Sequence, residues 1–273
     1  GSLGAAPTNA ASAMDNVWSA WGAQMNGQLV PQFDGVSRAY EYYDNKSSFY
    51  ETGTTFSNTV SFSTAGDNGN TRFSLTNLDN DDISPNSTLD RNSIGINTSQ
   101  NVGKNIRIDA NLKYLLEDQS GNPRLSDGPG NANWIINHTS PSVDVNWGKG
   151  PNGDGRNDDL SEFQMTPSIY IQNPWFAQNY YVNDSEKERF IGSINMRWDL
   201  TDWLYARARV GADRYDLHRT QSEPFGTGYK PKGGINHYKL AFKQFDSDFF
   251  LGTDNLSLTD DVALTAFVGV GSN

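Results

Sequence analysis

The chain has 273 residues and no cysteine, with 21 Lys+Arg against 32 Asp+Glu for a formal charge of −11. Aromatics make up 12% while hydrophobic residues reach only 36% and mean hydropathy is −0.65, a combination that excludes intrinsic disorder, which lacks aromatic and β-branched residues. Also excluded are a disulfide framework and thiolate metal sites, nucleic-acid binding (which needs clustered Lys and Arg), and a helical membrane span, since the longest mostly apolar run, Val262 to Val270, is about half the length needed.

In chain order, Gly1 to Ala13 is small, polar and uncharged, unlike a secretory signal with its basic start and apolar core. It predicts a linker, or the start of a piece cut from a longer protein. Only Ala10 to Trp21 has the pattern of a short helix, so residues 1–50 read as a linker and irregular N-terminal segment.

From residue 51 to 273 the period is two, the mark of a strand with one face exposed to a different medium from the other. Thr54 to Ser63 carries Phe56, Val60 and Phe62 in phase; Arg72 to Asp79 carries Phe73 and Leu75; Asp90 to Gln100 carries Ile94 and Ile96. In Asn105 to Leu116, Ile106, Ile108, Ala110, Leu112 and Tyr114 oppose Arg107, Asp109, Asn111 and Lys113. Phe190 to Leu200 sets Phe190, Ile194, Met196, Trp198 and Leu200 against Ser193, Asn195, Arg197 and Asp199. Trp203 to Tyr215 sets Leu204, Ala206, Ala208, Val210 and Ala212 against Tyr205, Arg207, Arg209 and Asp213. Phe245 to Ser257 and Val262 to Val270 complete about eight strands, several of them longer than the usual globular five or six residues.

The connections alternate in length. Ala65 to Gly69, Asn101 to Lys104, Thr201-Asp202 and Thr259 to Asp261 are short; Asn80 to Leu89, Asp118 to Ser185 and Leu217 to His237 are long. In an antiparallel up-and-down meander, all short turns then fall on one edge and all long loops on the other. That asymmetry, with strands long enough to cross a bilayer, is the pattern of a transmembrane β-barrel. The predicted fold is therefore all-β, an up-and-down meander forming a segment of a large transmembrane barrel, with a long loop at 118–185. A soluble carbohydrate-binding β-sandwich module also alternates and is the competing reading; a secreted β-rich glycosidase is a third.

Ordered along this scaffold are short motifs: Phe49-Tyr50-Glu51-Thr52-Gly53, Phe56-Ser57-Asn58-Thr59-Val60, Arg72-Phe73-Ser74-Leu75, Leu78-Asp79-Asn80 and Ile83-Ser84-Pro85-Asn86-Ser87. Asn173-Pro174-Trp175-Phe176, Arg189-Phe190-Ile191-Gly192, Asp199-Leu200-Thr201-Asp202-Trp203-Leu204 and Val210-Gly211-Ala212-Asp213 follow. In this order and spacing the chain resembles the SusC/RagA family of TonB-dependent outer-membrane transporters of the Bacteroidetes, over roughly Trp18 to the end. The resemblance implies import of a bulky nutrient, a glycan or a peptide, across the bacterial outer membrane. It implies TonB as energy source, a SusD-like surface lipoprotein as partner, and a parent with a plug domain and a barrel of about 22 strands. No bond is made or broken in such transport, so the resemblance implies no enzyme and no cofactor. The chain matches the earlier part of a barrel, without plug, TonB-contacting segment or closing strand.

His138, His218 and His237 fall in expected loops and have no metal-ligand spacing, and there is no G-x-S-x-G elbow. Pro151 to Asp159 and Asp79 to Asp82 are rich in oxygen ligands but lack the order of a calcium loop, so they read as turns. Within the long loop, Trp134, Trp147, Trp175, Phe176 and Tyr180 are candidates for stacking on substrate, with packing of the loop on itself as the favoured alternative. Arg107, Asp109, Lys113, Arg197, Asp199, Arg207, Arg209 and Asp213 are costly against lipid and are expected to face a wet lumen, with opposite charges of neighbouring strands pairing across 197–199 and 207–209.

Overall fold

The computed structural model describes residues 5–18 and 22–273. Its centre is one eight-stranded antiparallel sheet in which every strand neighbours the next in sequence. The strands are β3 (Thr54–Gly66), β4 (Gly69–Asp81), β5 (Thr88–Val102), β6 (Ile106–Ser120), β7 (Val182–Asp199), β8 (Leu204–Glu223), β9 (Gly234–Thr259) and β10 (Val262–Ser272). A two-stranded hairpin, β1 (Leu29–Pro31) and β2 (Ser37–Ala39), stands apart. The up-and-down meander read from the sequence is the observed one. Ser63 pairs with Arg72 and Phe56 with Asp79, the register expected for the first hairpin.

Four connections are tight turns on one edge, and the β4–β5, β6–β7 and β8–β9 connections lie on the other. Gly103, at φ 67, closes one tight turn in a conformation that favours glycine. The strands run further than alternation indicated: β7 has 18 residues, β8 has 20 and β9 has 26. The long connections shrink accordingly, and His218 and His237 lie in β8 and β9 rather than in loops. Beyond Ala212 the outward face of β8 turns polar at Arg214, Asp216 and His218, so its hydrophobic period stops, while main-chain pairing continues unbroken to Glu223 opposite Gly234.

Because side chains alternate across a strand, the register sorts the sheet into two faces. Phe62, Phe73, Ile96, Leu112, Ala212 and Phe245 share one face, which is apolar and open to the surroundings: Val60 is 73% exposed and Phe249 51%. No second sheet covers it among the described residues. The other face is polar and concave, with an open depression of about 850 Å³ that spans β6 to β10.

The buried core lies elsewhere. Residues 5–18 and 22–50 fold together with the β6–β7 connection at the long-loop end of the sheet. This cap comprises α1 (Ala10–Asn16), the β1–β2 hairpin, α2 (Asn45–Phe49), α3 (Ala132–His138), a 3-10 turn at Val145–Lys149 and α4 (Pro174–Tyr180). The helix predicted for Ala10 to Trp21 is shorter, and residues 19–21 lie outside the described residues. Asn131 and Asn173 cap α3 and α4 by accepting from Trp134 N and Trp175 N, and Pro174 starts α4 where its missing N–H costs nothing. Two apolar clusters follow: Phe49, Ile136, Val145, Trp175 and Phe176 in one, and Val17, Phe33, Val143 and Met165 in the other. Each joins the N-terminal segment to the loop. Asn45 stitches the same seam, donating to Ser140 O at 3.2 Å and accepting from Val145 N at 2.9 Å.

Candidate functional site

The concave face is built by register. Arg107, Arg197 and Arg207 form one row across β6, β7 and β8, and Asp109, Asn195, Arg209 and Asp248 form the next. Lys113, Ile191, Asp213 and Gln244 lie two rows further up. Asp199, two residues beyond Arg197, completes the set, so all eight charged residues expected on one face share it.

The pairing differs from expectation. The register sets Arg197 opposite Arg207 and Asn195 opposite Arg209, so β7 and β8 do not exchange charges there. Arg197 instead binds Asp199 on its own strand at 2.8 Å and Asp254 on β9. Arg209 holds Asp248 through Nε at 2.8 Å, and Arg107 holds Asp109 at 3.1 Å. Arg189 grips Asp213 with two parallel bonds, 2.9 and 2.5 Å, the planar fork that suits a carboxylate. Arg207 donates to the neutral Asn195 at 2.6 Å. The result is a mesh of ion pairs in contact with solvent, as a water-filled wall requires and a lipid-facing one forbids.

Above this mesh the wall changes. Leu115, Arg189, Tyr215 and Phe242 form one row, and Glu117, Lys187, Leu217 and Leu240 the next. Sequence alternation missed these residues because the apolar period of β8 ends near Ala212. The signal available was the return of Tyr215 and Leu217 in phase with the charged face.

The five loop aromatics all lie in or on the cap. Phe176 is fully buried and Trp175 is 9% exposed, its Nε1 donating to Val145 O at 2.9 Å with Lys149 Nζ 4.3 Å above its ring. Trp134 packs between Trp18 and His138, with ring centroids 4.5 Å from each. Trp147 meets Tyr43 edge-on at 5.0 Å and carries Arg38 at 4.4 Å. Tyr180 donates to Asp154 and lies 3.3 Å beneath the Arg156 guanidinium. The acidic turn Pro151 to Asp159 spends its oxygens on protein donors: Asp154 accepts from Arg156 N at 3.0 Å and Asp159 from Ser161 N at 3.0 Å. Among the described residues no three His, Asp or Glu side chains converge to hold a metal.

Glu162 joins the two larger loops. It is 4% exposed and accepts from Asn173 N at 2.6 Å and from Gly228 N, in the β8–β9 connection, at 3.2 Å. Burial without a cationic partner outweighs those two bonds and pushes its carboxyl up to about 7.

No protein-family model matches the sequence, and no curated protein matches it. Solved structures do. The RagAB peptide importer in its closed-closed state aligns with 84% of this chain and 25% of that chain at 16% identity and a TM-score of 0.58. Its open-open state gives 15% identity and a TM-score of 0.59 over the same shares. The chain thus spans about a quarter of the length of the chains it resembles. Likeness at this identity speaks for the fold alone, and the fold is a segment of a large transmembrane β-barrel.

Proposed function

We propose that this chain forms part of the wall of an outer-membrane importer, with β3 to β10 crossing the bilayer and the concave face lining the path of the nutrient. The observation that carries this reading is the separation of faces: eight consecutive strands expose a band of apolar side chains on one side and a mesh of ion pairs on the other. In a β-sandwich the apolar face would be buried under a second sheet. The finer reading is a SusC/RagA-type transporter driven by TonB, partnered by a SusD-like lipoprotein and importing a glycan or peptide without breaking a bond. It is supported by the ordered motifs from Phe49 to Asp213 and by likeness to a peptide importer. The cap aromatics are assigned to holding the cap together, because their rings are covered by partners from the same cap.

This chain has no cysteine, so a single cysteine placed in it, with any cysteine elsewhere in the protein replaced, reports on its own position. In cells carrying the intact protein, Phe249→Cys should react with a lipid-phase maleimide and resist a water-soluble one, and Ser193→Cys the reverse. Equal labelling of both sites by the water-soluble reagent sinks the membrane reading. Uptake that persists without TonB sinks the energised-transport reading.

A further inference from the structure

A polar wall facing water has no reason to carry exposed leucine, yet Leu240 and Tyr238 are each 52% exposed on the concave face, just below the cap. They continue a patch of Tyr215, Leu217 and Phe242, in which the Tyr215 and Phe242 rings stack at 5.1 Å and 19°. A contiguous apolar patch on a wet surface marks an interaction site. One charge is available beside it. Arg189 is taken by Asp213, Arg91 by Glu117, and Arg219 donates through Nε to Asn183 Oδ1 at 2.9 Å, whereas Lys187 makes no ion pair among the described residues and holds its ammonium 5.6 Å from the Tyr215 ring.

We propose that this patch is a binding site for a small amphipathic carboxylate, with the ligand's apolar or aromatic group on Tyr215, Phe242, Leu217 and Leu240 and its carboxylate on Lys187. The chemistry sets the class. Leucine side chains have no donor or acceptor, so a sugar laid across them would lose water from its hydroxyls without replacement. An aromatic acid loses only apolar hydration there and gains a charge-assisted hydrogen bond at the ammonium. The site deepens the reading of the concave face as a transport path and rests on it.

The test uses two probes with the same ring, N-acetyltryptophan and its uncharged amide, titrated calorimetrically into the intact protein in detergent. The acid is expected to bind about tenfold more tightly than the amide, as one charge-assisted bond implies. Lys187→Gln should erase that difference and Lys187→Arg should keep it. Leu217→Ser with Leu240→Ser, both on an open face, should weaken both probes by about tenfold, matching the loss of two apolar side chains from a partly exposed contact. Equal binding of acid and amide, no binding of either, or a Lys187→Gln variant that still prefers the acid overturns the proposal. Should the cysteine labelling fail while probe discrimination holds, the membrane path is wrong and the site stands. Normal labelling without discrimination removes the site alone.

Discussion

Glu162 has a consequence for pH that can be worked out by sign. Its folded carboxyl titrates near about 7 against an ordinary value of 4.5, so between those values the folded state holds more protons than the unfolded one. Stability from this group is complete below about 4.5, falls as pH rises, and is spent above about 7, with a span of at most about 3 kcal/mol. Proteolysis of the β6–β7 connection should therefore slow as pH drops from about 7 to about 5, and Glu162→Gln should flatten that profile. An unchanged profile in the variant removes Glu162 as its source. Phe176→Ala, in the fully buried cluster, should destabilise the cap by about 3–5 kcal/mol in thermal or denaturant unfolding. A single sequence showed Glu162 as one carboxylate among many. Its burial depends on Asn173 and Gly228, which come from two different connections. That the eight charged residues share one face was legible, because a two-residue period assigns a face without knowledge of the partner strand.

At the scale of elements, the apolar stretch of each strand was legible, and the polar extension was not. The proposed membrane reading sets alternate residues of Ile106 to Tyr114 in β6 against lipid, and nine residues at roughly 3.3 Å each are enough for a tilted crossing. Above it, order comes from main-chain pairing and ion pairs, which leave no hydrophobic period. Val210→Arg, at the middle of the apolar face of β8, should cost roughly 2–4 kcal/mol of membrane folding free energy, and Gly211→Arg on the wet face much less. Folding into vesicles at graded urea would measure both, and equal costs would refute the assignment of faces. The fork between Arg189 and Asp213 is partly in water, with 32% and 22% of the side chains exposed, so a double-mutant cycle should return only about 0.2–1 kcal/mol of coupling. Larger coupling would mean the wall is drier than the ion-pair mesh indicates. Pairings themselves escaped the sequence reading: charges at 197–199 and 207–209 were visible, but the register sets Arg197 opposite Arg207 and sends each to a partner elsewhere.

As a whole molecule the sheet is open. Among the described residues β3 pairs only with β4 and β10 only with β9, so two long strands present unpaired N–H and C=O groups. Isolated in detergent, the chain should self-associate through these edges, and cysteines placed at Val60 and Val268 should cross-link between copies. A monodisperse monomer with no cross-link would show that the edges are closed some other way. The cap reflects the same scale. Residues 1–50 read as linker and irregular chain because their apolar residues, Val17, Phe33 and Phe49, are scattered without period. They find partners only in the β6–β7 connection, about a hundred residues away, as the bond between Asn45 and Ser140 shows.

The sequence by itself determined the class of fold, the order and sense of the strands, and which side chains share a face. Each of these follows from local geometry: a period of two, a tight turn, a run of apolar residues. Only the tertiary structure decided which charges pair, where the loops pack, that Glu162 is buried, and that an apolar patch interrupts the polar wall. Those features arise where segments distant in the chain meet at close range, and their energies belong to the meeting rather than to either segment.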